Sequence, residues 1–258
     1  GAALPGAIDR HIQSTSESGT LSKVRLLIDP QEREKFKTQR PGLRRLNGDH
    51  TLISLTESDE AWNEKSAARR SHRQFSKDII PATDFSKFVS LLREVTLNGQ
   101  SRRLYASAGG IYAVQTYVHL KPDRIEGMRA GVYYYHPVDH GFVLLAPDAE
   151  LPPSIHESFV NRPVFEQSAF SLFLVARLSA IEPMYGEQSS RFAAIEAGLM
   201  SELLETSSAA YRIGLCQIGT IDFDQIRPLF DLEETDELVH SLVGGRVDIS
   251  NVQEEGEF

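Results

Sequence analysis

The run AFSLFLVARL, residues 169–178, is the stretch on which the fold turns. It is apolar at nearly every position, has the length of a strand and contains no turn former. A strand with one wet face alternates polar and apolar residues, whereas a strand covered on both faces does not. The run therefore belongs at the centre of a sheet with other elements packed on both sides.

Working outward, YAVQTYVHL (112–120) reads as a strand, and GVYYYHP and GFVLLAP flank VDH as a hairpin. PPSIHESFVN (152–161) is expected to be a short helix with prolines in its first turn. Downstream, 191–212 is the longest expected helix, with Phe192, Ile195, Leu199 and Leu203 as its buried stripe and Gly214 beyond its end. Asp222 caps a short helix to Phe230, and ELVHSLVGGRVDI closes the chain body with a strand. Upstream, 25–55 reads as a turn-rich lead-in ending in a strand at 51–55. A helix is expected over 60–70. A second one opens at Pro81 and Asp84, presents Phe85, Phe88, Val89, Leu92 and Val95 on one face, and stops at Asn98-Gly99. Helices and strands mix without regular βαβ repetition, which implies an α+β fold with a mainly antiparallel sheet flanked by helices. The expected organisation is a lead-in, 1–58, packed on a body, 59–250, followed by a tail, 251–258.

The chain has 258 residues, 41% hydrophobic and 24% charged, which is ordinary for a globular protein. Its net charge of −9 gives no field for nucleic acid or an anionic membrane. No apolar stretch approaches the ~20 residues of a membrane span, and the start lacks the regions of a secretory signal. The single cysteine, Cys216, excludes an internal disulfide and fits a reducing cytoplasm. No His/Cys spacing suits a metal.

Against this acidic background, KSAARRSHRQF (65–75) is a local basic run. Arg69 and Arg73, four apart, would share a helix face with Ser71 at the turn between them, an arrangement of forks and a hydroxyl suited to a phosphate. A solvated basic face is the plainer alternative. SAGGIYAVQTYV (107–118) places paired glycines before a strand, where backbone can approach a planar ligand, or simply turn. GLCQIGTID (214–222) reads as a glycine-bracketed loop whose Gly219 and Thr220 N–H groups could donate to a cofactor. VGGRVD puts Arg246 after paired glycines at a strand end. Cys216 has no nearby His and reads as a packed core residue, and His119 reads as structural.

The order of these pieces, together with REKFKTQRPGLRRL (33–46), EPMYGEQ (182–188) and FAAIEAGLMSELL (192–204), resembles the FMN-dependent nitroreductase superfamily over about 32–248. Within it, the sequence is similar to the thiazoline/oxazoline dehydrogenase branch and to the oxidase domains of nonribosomal peptide synthetases. The resemblance implies FMN, with Arg69, Arg70 and Ser71 at its phosphate and ribityl chain and Arg73 near the pyrimidine edge. It also implies Arg246 as a late phosphate contact, Ser107, Gly109 and Gly110 against the ring, and Gly219 and Thr220 facing N5. Tyr185 matches the family's acid/base position, but Met184 stands where stand-alone azoline dehydrogenases carry a lysine, so the two-residue dyad does not transfer. Gly110 likewise replaces the Asn of general nitroreductases. The implied partners are a second copy of the chain, a carrier protein bearing substrate on phosphopantetheine, and neighbouring synthetase domains. The implied reaction is oxidation of a carrier-bound thiazoline or oxazoline with O2 as acceptor. NAD(P)H-dependent nitro or quinone reduction and dehydrogenation of an uncyclised aminoacyl thioester stand as alternatives.

Overall fold

The computed structural model describes residues 29–44, 46–48, 50–57 and 69–248. These divide into two units, one ending at Thr56 and one beginning at Glu57. In the first unit, α1 (Pro30–Thr38) starts where Asp29 accepts the N–H groups of Gln31 and Glu32 at 2.7 and 2.9 Å, with Pro30 in the first turn. A helix thus occupies part of the expected turn-rich lead-in. The strand expected at 51–55 does not form: Leu52, Ile53 and Leu55 are exposed and pair with no strand among the described residues.

The second unit is built on a six-stranded sheet in the order β5-β4-β3-β6-β8-β7. Its strands are β3 (Val114–Leu120), β4 (Gly131–His136), β5 (Gly141–Pro147), β6 (Phe170–Arg177), β7 (Ile213–Ile218) and β8 (Asp236–Arg246). Every neighbouring pair is antiparallel. β6 lies inside the sheet, between β3 and β8, which is why its sequence does not alternate. Phe170, Leu172, Leu174 and Ala176 face α2 (Ala82–Val89) and α5 (Ser189–Ser208), while Phe173 and Val175 face α3 (Asn161–Gln167) and the turns at 153–155 and 223–229. The architecture is the expected α+β one.

Several local expectations are corrected. The segment after Leu92 leaves the helix: β1 (Val95–Leu97) and β2 (Gln100–Arg102) form a small hairpin. Asn98 and Gly99 are its turn, with φ of 53° and 76°, as expected for Asn-Gly between strands. The helix expected at 152–161 is a short 3-10 turn at Pro153–Ile155, and the true helix α3 begins at Asn161. Glu157 is an acceptor for the N–H groups of Phe159, Val160 and Asn161 as the chain enters it. Two 3-10 turns replace the helix after Asp222, whose carboxylate accepts the Gln225 side chain and caps no backbone N–H. GLCQI is strand β7 and not a loop. The helix expected over 60–70 falls mostly outside the described residues, and Arg69 and Arg70 are not helical.

The longest helix, α5, turns the opposite way from expectation. Its buried face carries Ala193, Glu196, Ala197, Met200, Ser201, Leu204, Glu205 and Ser208, whereas Ile195 and Leu199 are 52% and 41% exposed. Ala193, Ala197 and Ser201 let the helix axis approach the sheet, so Met200 and Leu204 fill the remaining space and Ile195 and Leu199 stay outside.

Candidate active site

The described part of the basic run, 69–75, forms a strap across the end of the sheet, not a helical face. His72 donates its N–H to the Leu215 carbonyl at 2.7 Å, and Ser76 donates to the Arg246 carbonyl at 2.8 Å. Between these anchors the chain passes over the cross-strand pair Gly214–Gly245. A Cβ on Gly214 would lie 2.6 Å from His72 Cγ, and one on Gly245 would lie 2.8 Å from Phe75 Cβ, so only glycine admits the crossing. The paired glycines of VGGRVD therefore lie within β8, and their use is close approach. Since His72 and Ser76 use their N–H groups on the sheet, the strap cannot be helical.

Arg69 and Arg73 are exposed on this strap, and Ser71 is half-buried beside them. Arg69 Nη1 reaches Glu205 Oε2 at 3.4 Å, and the same oxygen accepts Gln217 Nε2 at 3.0 Å. Gln217 Oε1 in turn accepts His240 Nε2 at 2.9 Å, and burial holds His240 below the usual imidazole range. Burial, and then the Arg70 guanidinium, likewise lower His72. Gly219 and Thr220 are exposed just past β7, where the Thr220 carbonyl accepts Asn161 Nδ2 at 3.5 Å. Arg246 is mostly buried at the end of β8, with Nη1 3.2 Å from both Asp84 Oδ2 and the Tyr211 carbonyl. Its Nε and Nη2 meet no acceptor among the described residues.

A second group forms where β3 begins. Gly109, Gly110 and Tyr112 all adopt left-handed backbone, with φ of 61°, 67° and 55°. Ser107 Oγ donates to Glu196 Oε2 at 2.6 Å and accepts the Tyr112 N–H at 2.8 Å, while Val114 N–H donates to Glu196 Oε1 at 3.1 Å. Burial raises the Glu196 carboxyl, and these donors oppose the rise. α4 (Leu178–Tyr185) delivers Tyr185 to the same place. A Cβ on Gly109 would sit 2.9 Å from Tyr185 Oη and 3.1 Å from Met184 Sδ. The Tyr185 ring packs edge-on against Phe192 at a centroid distance of 4.9 Å.

Helix α5 connects the two groups, through Glu205 to the strap and through Glu196 to the glycine loop. Nine residues at about 1.5 Å each separate these anchors by about 14 Å along the axis. Neither glutamate was singled out from sequence. The available signal was phase, since Glu196 is in step with Ala193, Ala197 and Met200 and so points inward with them.

Other candidates fall away. Cys216 is buried in the core, where burial pushes its thiol up and nearby Arg73 only partly opposes that. His119 is buried, hydrogen-bonds the Ala149 carbonyl at 3.1 Å and is held at about 4 by desolvation, so it is a neutral core residue and no base for this site. No cluster of metal-ligating side chains occurs among the described residues. None of their helices is long and apolar enough to cross a membrane.

This arrangement coincides with a known family. The model described as Nitroreductase family matches residues 67–246. The chain belongs to the nitroreductase family. Members of the family typically bind flavin. Among curated proteins, this nitroreductase-family chain is 30% identical over 120 residues to indigoidine synthase of Dickeya dadantii (strain 3937), a match covering 46% of the chain and 7% of that protein. It is also 30% identical over 111 residues to indigoidine synthase of Streptomyces lavendulae, covering 43% of the chain and again 7% of the relative. The chain therefore spans a small part of the proteins it matches. Among solved structures, it superposes on the E. coli microcin synthetase McbBCD complex with truncated pro-MccB17 bound at a TM-score of 0.66. That likeness has 17% identity and covers 90% of this chain and 85% of the other. A Ralstonia eutropha JMP134 chain assigned to the nitroreductases gives 0.59 at 24% identity, covering 76% and 89%. Both likenesses are of fold.

Proposed function

We propose that this nitroreductase-family chain is an FMN-dependent oxidase unit of a nonribosomal peptide synthetase. Its substrate in this proposal is a thiazoline or oxazoline held as a thioester on a carrier protein's phosphopantetheine arm, and its product is the thiazole or oxazole. The observation that carries the proposal is the meeting of Gly109 and Tyr185: a side chain at 109 would collide with the Tyr185 hydroxyl. The loop expected to face the flavin ring and the residue expected to handle the substrate proton thus converge, although they are 76 positions apart in sequence.

The residues present fit FMN. Arg69, Arg70, Ser71 and Arg73 lie on one strap, where Arg69, Arg70 and Ser71 would hold the phosphate and ribityl chain and Arg73 would lie near the pyrimidine edge. Arg246 offers an unused guanidinium edge near the strap's end. Backbone is open at Gly110 and Gly219, where an added Cβ would meet nothing within 4 Å. Bound FMN would supply the two-electron acceptor, and O2 would take the electrons onward. Aromatising a thiazoline removes one proton and one hydride, and the proton is assigned to Tyr185 Oη. Ser107, through Glu196, holds the loop against which Tyr185 is placed.

The proposal includes a homodimer. Ile195 and Leu199 are exposed on α5 beside half-buried Phe192 and Leu203, and a second copy covering them would also close over Phe192 and Tyr185. A second reading, dehydrogenation of an uncyclised aminoacyl thioester, draws support from the 30% identity to two indigoidine synthases.

The test is to offer carrier-bound thiazoline and a carrier-bound, uncyclised aminoacyl thioester to the flavin-loaded protein under air and measure mass. Loss of two hydrogens from the first supports the main proposal, and loss only from the second supports the other. Consumption of NAD(P)H with quinones and no action on either thioester would overturn both. With the active substrate, Tyr185→Phe should retain FMN and slow anaerobic flavin bleaching about 10²–10⁴-fold, the span for removing a general acid or base. A rate within about threefold of the unmodified protein would place the proton elsewhere.

A further inference from the structure

A cavity of about 480 Å³ opens at the end of the sheet where β3 begins and β6 ends. Neither the strap nor Ser107, Gly109 and Gly110 line it. Its lining combines aromatic and acidic side chains. Tyr112, Tyr117 and Tyr134 line it, with the Tyr117 and Tyr134 rings 5.4 Å apart. Asp231, Glu233 and Asp236 supply three carboxylates against one guanidinium, Arg177.

Partnering within the cavity decides what it can hold. Arg177 Nη2 pairs with Glu233 Oε1 at 2.6 Å, and Ser179 Oγ adds a bond to Glu233 Oε2 at 3.2 Å, so this carboxylate is neutralised. Asp236 is 9% exposed; its Oδ2 accepts the Glu233 N–H at 2.9 Å, but its Oδ1 is buried with no partner. A buried carboxylate oxygen without a donor is costly, so a donor delivered by a ligand is favoured there. Asp231 is a second carboxylate without a cation among the described residues. The Tyr134 hydroxyl is already used on Gln115 Oε1 at 2.8 Å. The Tyr117 hydroxyl makes no hydrogen bond among the described residues. Burial first, and then Asp236, push it up to about 12, so it keeps its proton.

We propose that this cavity is a binding site for an organic cation, a primary ammonium group on an apolar or aromatic body. The unpartnered Asp236 oxygen and Asp231 would take the ammonium protons, and the tyrosine faces would take the cation and its body. An anion is disfavoured by the two unneutralised carboxylates. A bare metal ion is disfavoured because the described residues contain no group of side chains arranged to hold one. A volume of this size suits a small molecule. The site needs no flavin and does not depend on the proposed reaction.

The experiment titrates the 258-residue chain with phenethylammonium and, separately, with its neutral isostere 2-phenylethanol, by calorimetry. Phenethylammonium should saturate one site per chain, and the alcohol should bind at least about tenfold more weakly, as expected for loss of a charge-assisted hydrogen bond. Asp236→Asn should weaken the amine at least about tenfold. If that variant fails to fold, Asp231→Asn serves instead, with an expected loss of about threefold or more. Equal binding of amine and alcohol, amine affinity unchanged in the folded Asp variants, or no saturation in the millimolar range would each overturn the proposal.

Discussion

Glu196 carries a carboxylate into the layer between α5 and the sheet with no ion pair among the described residues, although the Arg103 guanidinium is near enough to favour its charge. Three donors make that tolerable: the Ser107 hydroxyl and the backbone N–H groups of Val114 and Ala113. Because burial raises its folded pKa above the unfolded value, the native state holds its proton to higher pH than the unfolded state does. Its contribution to stability is therefore greatest below the ordinary glutamate range and falls as pH rises through the folded value. Glu196→Ala leaves the Val114 N–H buried without an acceptor and should cost about 2–4 kcal/mol. Glu196→Gln keeps a carbonyl for Val114 and an amide for Ser107, so it should cost less than about 1 kcal/mol and flatten the decline in stability toward neutral pH. Denaturant melts at pH 5 and pH 7.5 would measure both. A Glu196→Ala variant as stable as the unmodified protein would remove the loop-pinning role. At this scale the sequence showed Ser107, Gly109 and Gly110 as a unit because they are consecutive. It did not show what holds them, because the partner lies on another element.

Among the elements, α5 separates what pattern can show from what it cannot. Its existence and length were legible, since a long run without breakers leaves few alternatives. Its orientation was not. A 3.6-residue pattern identifies two faces, and the rule that the larger apolar face turns inward fails when close packing selects Ala and Ser. Similarly, β7 looked like a loop because Gly214 and Gly219 bracket it, whereas Gly214 is there to let the strap pass. The exposed face is the one with consequences. Ile195, Leu199 and partly buried Leu203 recur at helical spacing, and that outward stripe continues from Phe192 beside Tyr185. If a second copy covers it, Ile195→Glu and Leu199→Glu should convert a dimer to a monomer in light scattering while leaving each protomer folded, because neither side chain touches the core. FMN affinity should fall with the dimer. A monomeric unmodified protein, or charged variants that remain dimeric, would place the interface elsewhere.

For the whole molecule, the central place of β6 and the β4–β5 hairpin were readable, because one run is apolar throughout and the other two are joined by a short turn, whereas the order of the remaining strands was not. The ion pairs that position the arginines were not. Arg69 meets Glu205 across 136 residues, and Arg246 meets Asp84 across 162. Single-sequence patterns do not encode such separations. These long-range pairs now shape what each arginine should do in an acidic protein of net charge −9. Arg69 is exposed and tied by a single contact at 3.4 Å, so its loss should leave the fold intact. If it holds the FMN phosphate, Arg69→Ala should weaken FMN about 10–100-fold, the range for one charge-assisted hydrogen bond. Riboflavin, which lacks the phosphate, should bind the variant as well as it binds the unmodified protein. Arg246 differs because its Nη1 ties Asp84 at the start of α2 and the Tyr211 carbonyl. Arg246→Ala should therefore lower both FMN affinity and thermal stability, whereas Asp84→Asn should lower stability alone. Fluorescence titrations of both ligands against the three variants, read beside their melting curves, separate the two effects. An Arg69→Ala variant that loses FMN and riboflavin equally would mean that this arginine positions the strap and does not hold the phosphate.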